Sequence, residues 1–172
     1  NIISFGSGQP DLLPPEAVYK IYPKDSDFRY GLIQGQEKLR SSLAQQYPQS
    51  NPNNFVVTNG ASEALDLVLR VLSKHDHKKP KRVMIPKPYY YSYPHMVRFV
   101  GMEVVTVDTI KGRIDINDFH AKIDQCCAVI INSPSNPSGR VESIDTLQMI
   151  ERVTEEKGIY VLSDEVYKNL IY

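Results

Sequence analysis

The stretch Ala128-Val129-Ile130-Ile131 is apolar without a break, and it constrains the fold more than any other feature of the chain. A strand with one wet face alternates apolar and polar residues, whereas a strand covered on both faces can be apolar throughout. Short apolar runs recur at Phe55-Val56-Val57-Thr58, Val83-Met84-Ile85, Glu103 to Val107 and Ile159 to Leu162. Helical patterns separate them. Leu39, Leu43 and Tyr47 recur at four-residue intervals after Gln36, and the pattern stops before Pro48. Leu65, Val68, Leu69 and Leu72 share one face, and a further helix runs from the tyrosine cluster at 89–93 towards Val100, stopped by Gly101. Asp115 opens a short helix to Asp124, and Glu142 to Lys157 turns Ile144, Leu147, Ile150 and Val153 inward before Gly158 caps it. The alternation predicts an α/β fold, a three-layer α/β/α arrangement around a mostly parallel sheet.

Composition sets the outer bounds. A chain of 172 residues, 41% hydrophobic and 23% charged, can bury a domain-sized core and has the balance of a soluble globular protein. Lys plus Arg equals Asp plus Glu at 20 each, so no net field favours nucleic acid or an anionic membrane. No apolar run is long enough to span a bilayer, and a cytoplasmic protein is the expectation. Cys126 and Cys127 lie side by side in an apolar run and are expected to be buried thiols rather than a disulfide or metal pair. His75, His77, His95 and His120 show no metal-ligand spacing, so no metal is expected. Residues 1–35, punctuated by Gly6, Gly8, Pro10, Pro14, Pro15 and Pro23, are expected to form an arm, with 36–172 as the α/β domain. The chain begins at Asn1 rather than Met, so an N-terminal segment is expected to be missing.

Four polar turns follow four of the predicted strands, and in open α/β sheets ligands bind at the carboxyl ends of strands. Asn59-Gly60-Ala61-Ser62-Glu63 opens a helix, where free backbone N–H groups and the positive dipole end attract anions; an ordinary βα loop is the plain alternative. Tyr89, Tyr90, Tyr91 and Tyr93 can stack on a planar ring or simply pack. Asn132 to Gly139 adds amides and hydroxyls, and Ser163-Asp164-Glu165-Val166-Tyr167 adds a carboxylate that either meets a cation or caps a helix. Together these groups suit a planar, phosphorylated, nitrogen-containing aromatic. Neither the Gly-x-Gly-x-x-Gly fingerprint nor a phosphate loop ending in Gly-Lys-Ser/Thr is present, and no Ser/His/Asp or Cys/His set can be assembled.

These motifs, in this order, resemble the fold-type-I pyridoxal-phosphate enzymes, specifically class I/II aminotransferases. The matching pieces are Gly8-Gln9-Pro10-Asp11, Tyr30 with Gly35 and Leu39-Arg40, Val57 to Leu65, Pro88-Tyr89-Tyr90 with Ser92-Tyr93-Pro94, Asn132 to Gly139, and Ser163 to Tyr167. The Asn136-Pro137-x-Gly139 turn followed by Asp164-Glu165-x-Tyr167 is the specific part. The resemblance implies pyridoxal 5'-phosphate as cofactor, an amino acid and a 2-oxo acid as substrates, and a homodimer. It implies that Asp164 pairs with the ring nitrogen, that Asn136 and Tyr167 hydrogen-bond the ring hydroxyl oxygen, and that Tyr90 stacks on the ring. Gly60, Ala61 and Ser62 fall at the phosphate, Tyr30 at the phosphate of the neighbouring subunit's cofactor, and Gly8 at the substrate carboxylate pocket.

The chain also departs from the family pattern. Ser138 stands where the turn usually carries Thr, and the separation from Pro10 to Tyr30 is short. The family's Schiff-base lysine lies beyond the Asp-Glu-x-Tyr motif and its substrate-gripping arginine in a C-terminal domain, whereas this sequence ends at Tyr172. No lysine here matches the catalytic position, so none is assigned, and the chain alone is expected to be inactive. A pyridoxal-phosphate-dependent lyase shares the scaffold. So does the ligand-sensing domain of certain transcription regulators, which a helix-turn-helix upstream of Asn1 would distinguish.

Overall fold

A computed structural model describes residues 13–20, 30–75 and 78–170. The chain forms two compact units, residues 1–57 and residues 58–172. The expected arm, residues 1–35, falls inside the first unit; Gly8 and His77 lie outside the described residues.

In the first unit, α1 (Glu16–Tyr19) and α2 (Glu37–Ala44) are followed by a 3-10 turn at Pro52–Asn54. The buried residue of α2 is Arg40, not an apolar one. Its guanidinium donates to the carbonyls of Gly35 at 3.2 Å and Pro52 at 2.7 Å. Leu39 and Tyr47, two members of the predicted apolar stripe, are exposed. The inward position goes to the side chain that can pair two loop carbonyls, which would be costly to bury unpaired. Phe55 to Thr58 is not a strand, contrary to expectation. Its backbone is extended at Phe55, but no strand pairs with it among the described residues, and the Val57 N–H donates to Gln34 O at 2.9 Å instead.

The second unit carries the sheet. Strands β1 (Arg82–Pro86), β2 (Glu103–Val107), β5 (Ala128–Asn132) and β6 (Tyr160–Asp164) are parallel, in the order β2-β1-β5-β6. Helices α3 (Gly60–Lys74), α4 (Tyr93–Phe99), α5 (Ile116–Lys122) and α6 (Ile144–Lys157) accompany them. A short hairpin, β3 (Thr109–Ile110) with β4 (Arg113–Ile114), had not been anticipated. Its signal is Lys111-Gly112, a two-residue turn with both φ positive.

Alternating residues of the central strands face opposite layers, as the unbroken apolar runs require. Val83 and Ile85 of β1 and Ala128 and Ile130 of β5 pack with Leu65, Leu69 and Leu72 of α3 and with Tyr93 and Val97 of α4. Met84, Val129 and Ile131 face the other way, against Phe119 of α5 and Ile150 and Val153 of α6. This is the expected three-layer α/β/α arrangement. Cys126 and Cys127 are buried free thiols, and burial pushes Cys126 up to about 11. The helix ends match their sequence signals: Asp115 caps α5 by accepting from the amides of Asn117 and Asp118, and Gly158 ends α6 in the left-handed region.

The helical stripes are narrower than expected. Val68 of α3 and Ile144 and Leu147 of α6 are exposed, and Thr146 and Thr154 are buried in place of the latter two. Thr154 can be buried because its hydroxyl bonds Ile150 O at 2.7 Å, within its own helix. Leu69 has no exposure and sits centrally in the α3 layer. Leu69→Ala is expected to lower the unfolding free energy by about 2–5 kcal/mol, read as a lower urea midpoint at unchanged denaturant slope.

Candidate active site

The site begins with strand register. In the β5–β6 ladder Asn132 lies directly opposite Asp164, each the last residue of its strand. Asn132 uses both ends of its amide: Nδ2 donates to the Asp164 carbonyl at 3.0 Å, and Oδ1 accepts from the Asn136 N–H at 2.6 Å. One side chain therefore ties the turn after β5 to the end of β6. That turn is closed by Ser135 N–H to Arg140 O at 2.9 Å and Gly139 N–H to Ser135 O at 2.7 Å. Asn136 Nδ2 in turn reaches the Tyr167 hydroxyl at 3.4 Å, a long contact.

Asp164 is 8% exposed, and its two carboxylate oxygens have separate partners. Oδ1 accepts from the Val166 N–H at 3.2 Å, so the capping role considered for Asp164 exists, on a turn rather than a helix. Oδ2 accepts from the Tyr93 hydroxyl at 2.6 Å. Tyr93 is 2% exposed. Burial, and then the neighbouring Asp164 carboxylate, push its phenol far above its ordinary value, so it stays a neutral donor. No cation pairs with Asp164 among the described residues. A carboxylate accepts up to about four hydrogen bonds, so Asp164 keeps acceptor capacity for a further donor. A buried charge without a cation is costly unless a ligand supplies one.

Tyr93 and Tyr90 lie three residues apart at the start of α4, and their rings meet edge to face at 5.5 Å between centroids and 80°. Tyr90 also meets Tyr91 at 4.8 Å. At the head of α3, Gly60 takes φ +79, a left-handed turn that a side-chain-free residue adopts without strain. The Gly60 N–H is not free, because it donates to Thr58 O at 2.9 Å. The amides of Ala61 and Ser62, in the first turn, have no partner inside the helix. Asn59 is held by Glu63, whose carboxylate accepts from both its backbone and side-chain amides.

These groups line one cleft of about 220 Å³, formed by Gly60, Ala61, Ser62, Tyr90, Asn136, Asp164 and Tyr167 with Asn59, Leu65, Tyr93, Asn132 and Val166. Seven of the residues singled out from the sequence are thus brought together. Tyr30 belongs to the first unit, where it is fully exposed, and Gly8 lies outside the described residues. The turns come from the carboxyl ends of three strands, β1, β5 and β6, and from the head of α3. The fourth expected strand, Phe55 to Thr58, is not part of the sheet.

Tyr93 and Asn132 had not been assigned roles from the sequence. Signals existed: Tyr93 follows Tyr90 at one helical turn, and Asn132 ends its apolar run as Asp164 ends the next. Among the described residues no group of side chains could hold a metal ion, and no helix is long and apolar enough to cross a membrane.

Tyr93→Phe removes the donor and leaves a buried carboxylate oxygen short of a partner, an expected loss of about 1–3 kcal/mol of stability. The pH dependence has a definite sign. A phenol raised above its ordinary value of about 10 stabilises the fold below that pH and loses the contribution as pH rises through the folded value. Wild-type stability is therefore expected to fall more steeply than that of Tyr93→Phe above about pH 10, a difference that chemical denaturation across the alkaline range would reveal.

The family model for aminotransferase class I and II matches residues 1–172. A probable aspartate/prephenate aminotransferase of Aquifex aeolicus is 30% identical over all of this chain and 46% of its own length. The aspartate/prephenate aminotransferase of Thermus thermophilus is 31% identical, again over the whole chain and 47% of its own length. Among solved structures, the aspartate aminotransferase of Thermotoga maritima superposes with a TM-score of 0.86 at 27% identity, covering 99% of this chain and 48% of that one. The chain spans about half the length of the curated relatives it matches. With its α/β/α layers and its strand-end cleft, the chain belongs to the aminotransferase class I and II family.

Proposed function

We propose that this chain forms the cofactor-binding part of a pyridoxal-phosphate-dependent aminotransferase, which transfers an amino group between an amino acid and a 2-oxo acid. The observation that carries this reading is Asp164: a buried carboxylate with no cationic partner among the described residues, lining a cleft that also holds Tyr90 and the head of α3. The donor set fits the cofactor. A protonated ring nitrogen is the cation that Asp164 lacks among the described residues, a ring hydroxyl oxygen suits the Asn136 and Tyr167 donors, and a phosphate suits the amides of Ala61 and Ser62, which have no partner inside the helix.

When bound, pyridoxal phosphate supplies an electron sink for charge developing at the substrate α-carbon. This chain's residues do the holding. Asp164 fixes the proton on the ring nitrogen, and Tyr93 and the Val166 amide fix Asp164. Asn132 keeps Asn136 in register with Asp164, so one strand pair would hold the ring nitrogen and the ring hydroxyl oxygen of a bound cofactor. Tyr90, buttressed edge-on by Tyr93, would cover a face of the ring. Gly60 contributes the turn, and its own amide is engaged by Thr58, so the phosphate contacts fall to Ala61 and Ser62.

The same reading places Gly8 at the substrate carboxylate and Tyr30 at the phosphate in a partner's cleft, in a cytoplasmic homodimer. It assigns no lysine of this chain to covalent attachment. The chain alone is thus expected to bind the cofactor without turnover, and measurable transamination by it alone would overturn that assignment.

The decisive experiment is titration of the chain with pyridoxal phosphate, followed by absorbance and fluorescence. Asp164→Ala removes a charge-assisted hydrogen bond and is expected to weaken binding about tenfold to a hundredfold. Equal affinity in wild type and variant would sink the reading of Asp164.

A further inference from the structure

Glu142 stands where the chain leaves the Asn136 turn for α6, and its polar groups reach in two directions. Its N–H donates to the Ser133 hydroxyl at 3.0 Å, on the opposite limb of the turn. Its carboxylate Oε1 accepts from the Ile114 N–H at 3.1 Å, on β4 of the hairpin. The hairpin is held close by its own turn. Gly112 has φ +78 and packs so tightly on Arg140 that a Cβ would lie 2.8 Å from the arginine Cγ. The second carboxylate oxygen, Oε2, is enclosed and finds no hydrogen-bond partner among the described residues. Glu142 borders a cavity of about 30 Å³ that Asn132, Asn136 and Tyr93 also line, and those three line the larger cleft as well. That volume suits about one water molecule.

We propose that Glu142 is a positioning residue: it clamps the Asn132–Gly139 turn to the β3–β4 hairpin and so holds Asn136 at the cleft. The role in binding rests on the cleft being the pyridoxal-phosphate site; the clamp itself does not. Burial raises Glu142 above the ordinary carboxylate range, with the Ile114 amide and Arg113 pulling the other way. Among the described residues, Arg113 on β4 acts on it electrostatically, and Lys87, Tyr89 and Tyr93 are the titratable groups that line the same cavity. None of the cations makes an ion pair with Glu142 among the described residues. A carboxyl raised in the folded state stabilises at low pH, and the contribution is lost as pH rises through its folded value. The clamp should therefore loosen with rising pH.

The test compares wild type, Glu142→Gln and Glu142→Ala in two measurements at a series of pH values rising from the ordinary carboxylate range. One is affinity for pyridoxal phosphate; the other is hydrogen exchange of the peptide 132–142. Glu142→Gln keeps the acceptor and cannot ionise. Its affinity relative to wild type is expected to rise with pH, and its exchange to lack the pH-dependent acceleration that wild type shows beyond intrinsic chemistry. Glu142→Ala is expected to bind about tenfold more weakly and to exchange faster at every pH. A flat Gln-to-wild-type comparison in both measurements, or wild-type behaviour of Glu142→Ala, would overturn the proposal. If wild type binds no pyridoxal phosphate, the functional reading fails and the exchange comparison alone decides the clamp. Should Glu142→Ala fail to fold, the Gln comparison remains decisive.

Discussion

A carboxylate buried at the end of a parallel strand is the constraint on which the rest of the site depends. Asp164 is removed from water with no cation beside it among the described residues, and two neutral donors, the Tyr93 hydroxyl and the Val166 amide, cover part of its charge. Neutral donors make a buried carboxylate tolerable without cancelling its charge. The residual field is directed into the cleft. A cationic N–H ligand would complete what the described residues leave incomplete.

Parallel pairing is what makes the arrangement rigid. Because Asn132 and Asp164 are partners across the β5–β6 ladder, a slip of either strand by one residue would turn its member of the pair to the opposite face of the sheet. The core opposes such a slip. Val129 and Ile131 are committed to the α5–α6 layer, and Ala128 and Ile130 to the α3–α4 layer. Site geometry and core packing are therefore one constraint, and the Asn132 amide converts it into the position of Asn136. Glu142 extends the same logic outward, joining the turn to a hairpin that, among the described residues, pairs with no strand of the main sheet.

Much of this was legible in the residues. Unbroken apolar runs meant strands covered on both faces, and the layers on either side of β1 and β5 are their realisation. Gly101, Asp115 and Gly158 marked helix ends because they act through local backbone geometry, which needs no distant partner. The cleft residues Gly60, Ala61, Ser62, Tyr90, Asn136, Asp164 and Tyr167 were recognisable because each follows an apolar run. Where the reading failed, the missing information was non-local. Phe55 to Thr58 has strand composition but no ladder partner among the described residues, and α2 buries Arg40 because two loop carbonyls happen to face it. Ile144 and Leu147 fit the helical period of α6, yet the layer they face covers only part of the stripe.

The sequence by itself determined the α/β class, the strand-end location of the polar turns and the family, since these depend on periodicity and on residue types at fixed offsets along the chain. Only the tertiary structure decided which groups complete the site. Tyr93 became the donor to Asp164 across a sequence distance of 71 residues, and Asn132 became the bracket between two turns. Gly60 lost its amide to Thr58, and Glu142 was left with one oxygen enclosed and, among the described residues, without a hydrogen-bond partner. The physical reason is the same in each case. A hydrogen bond depends on distance and direction to within tenths of an ångström, and those are set by strand register and layer packing.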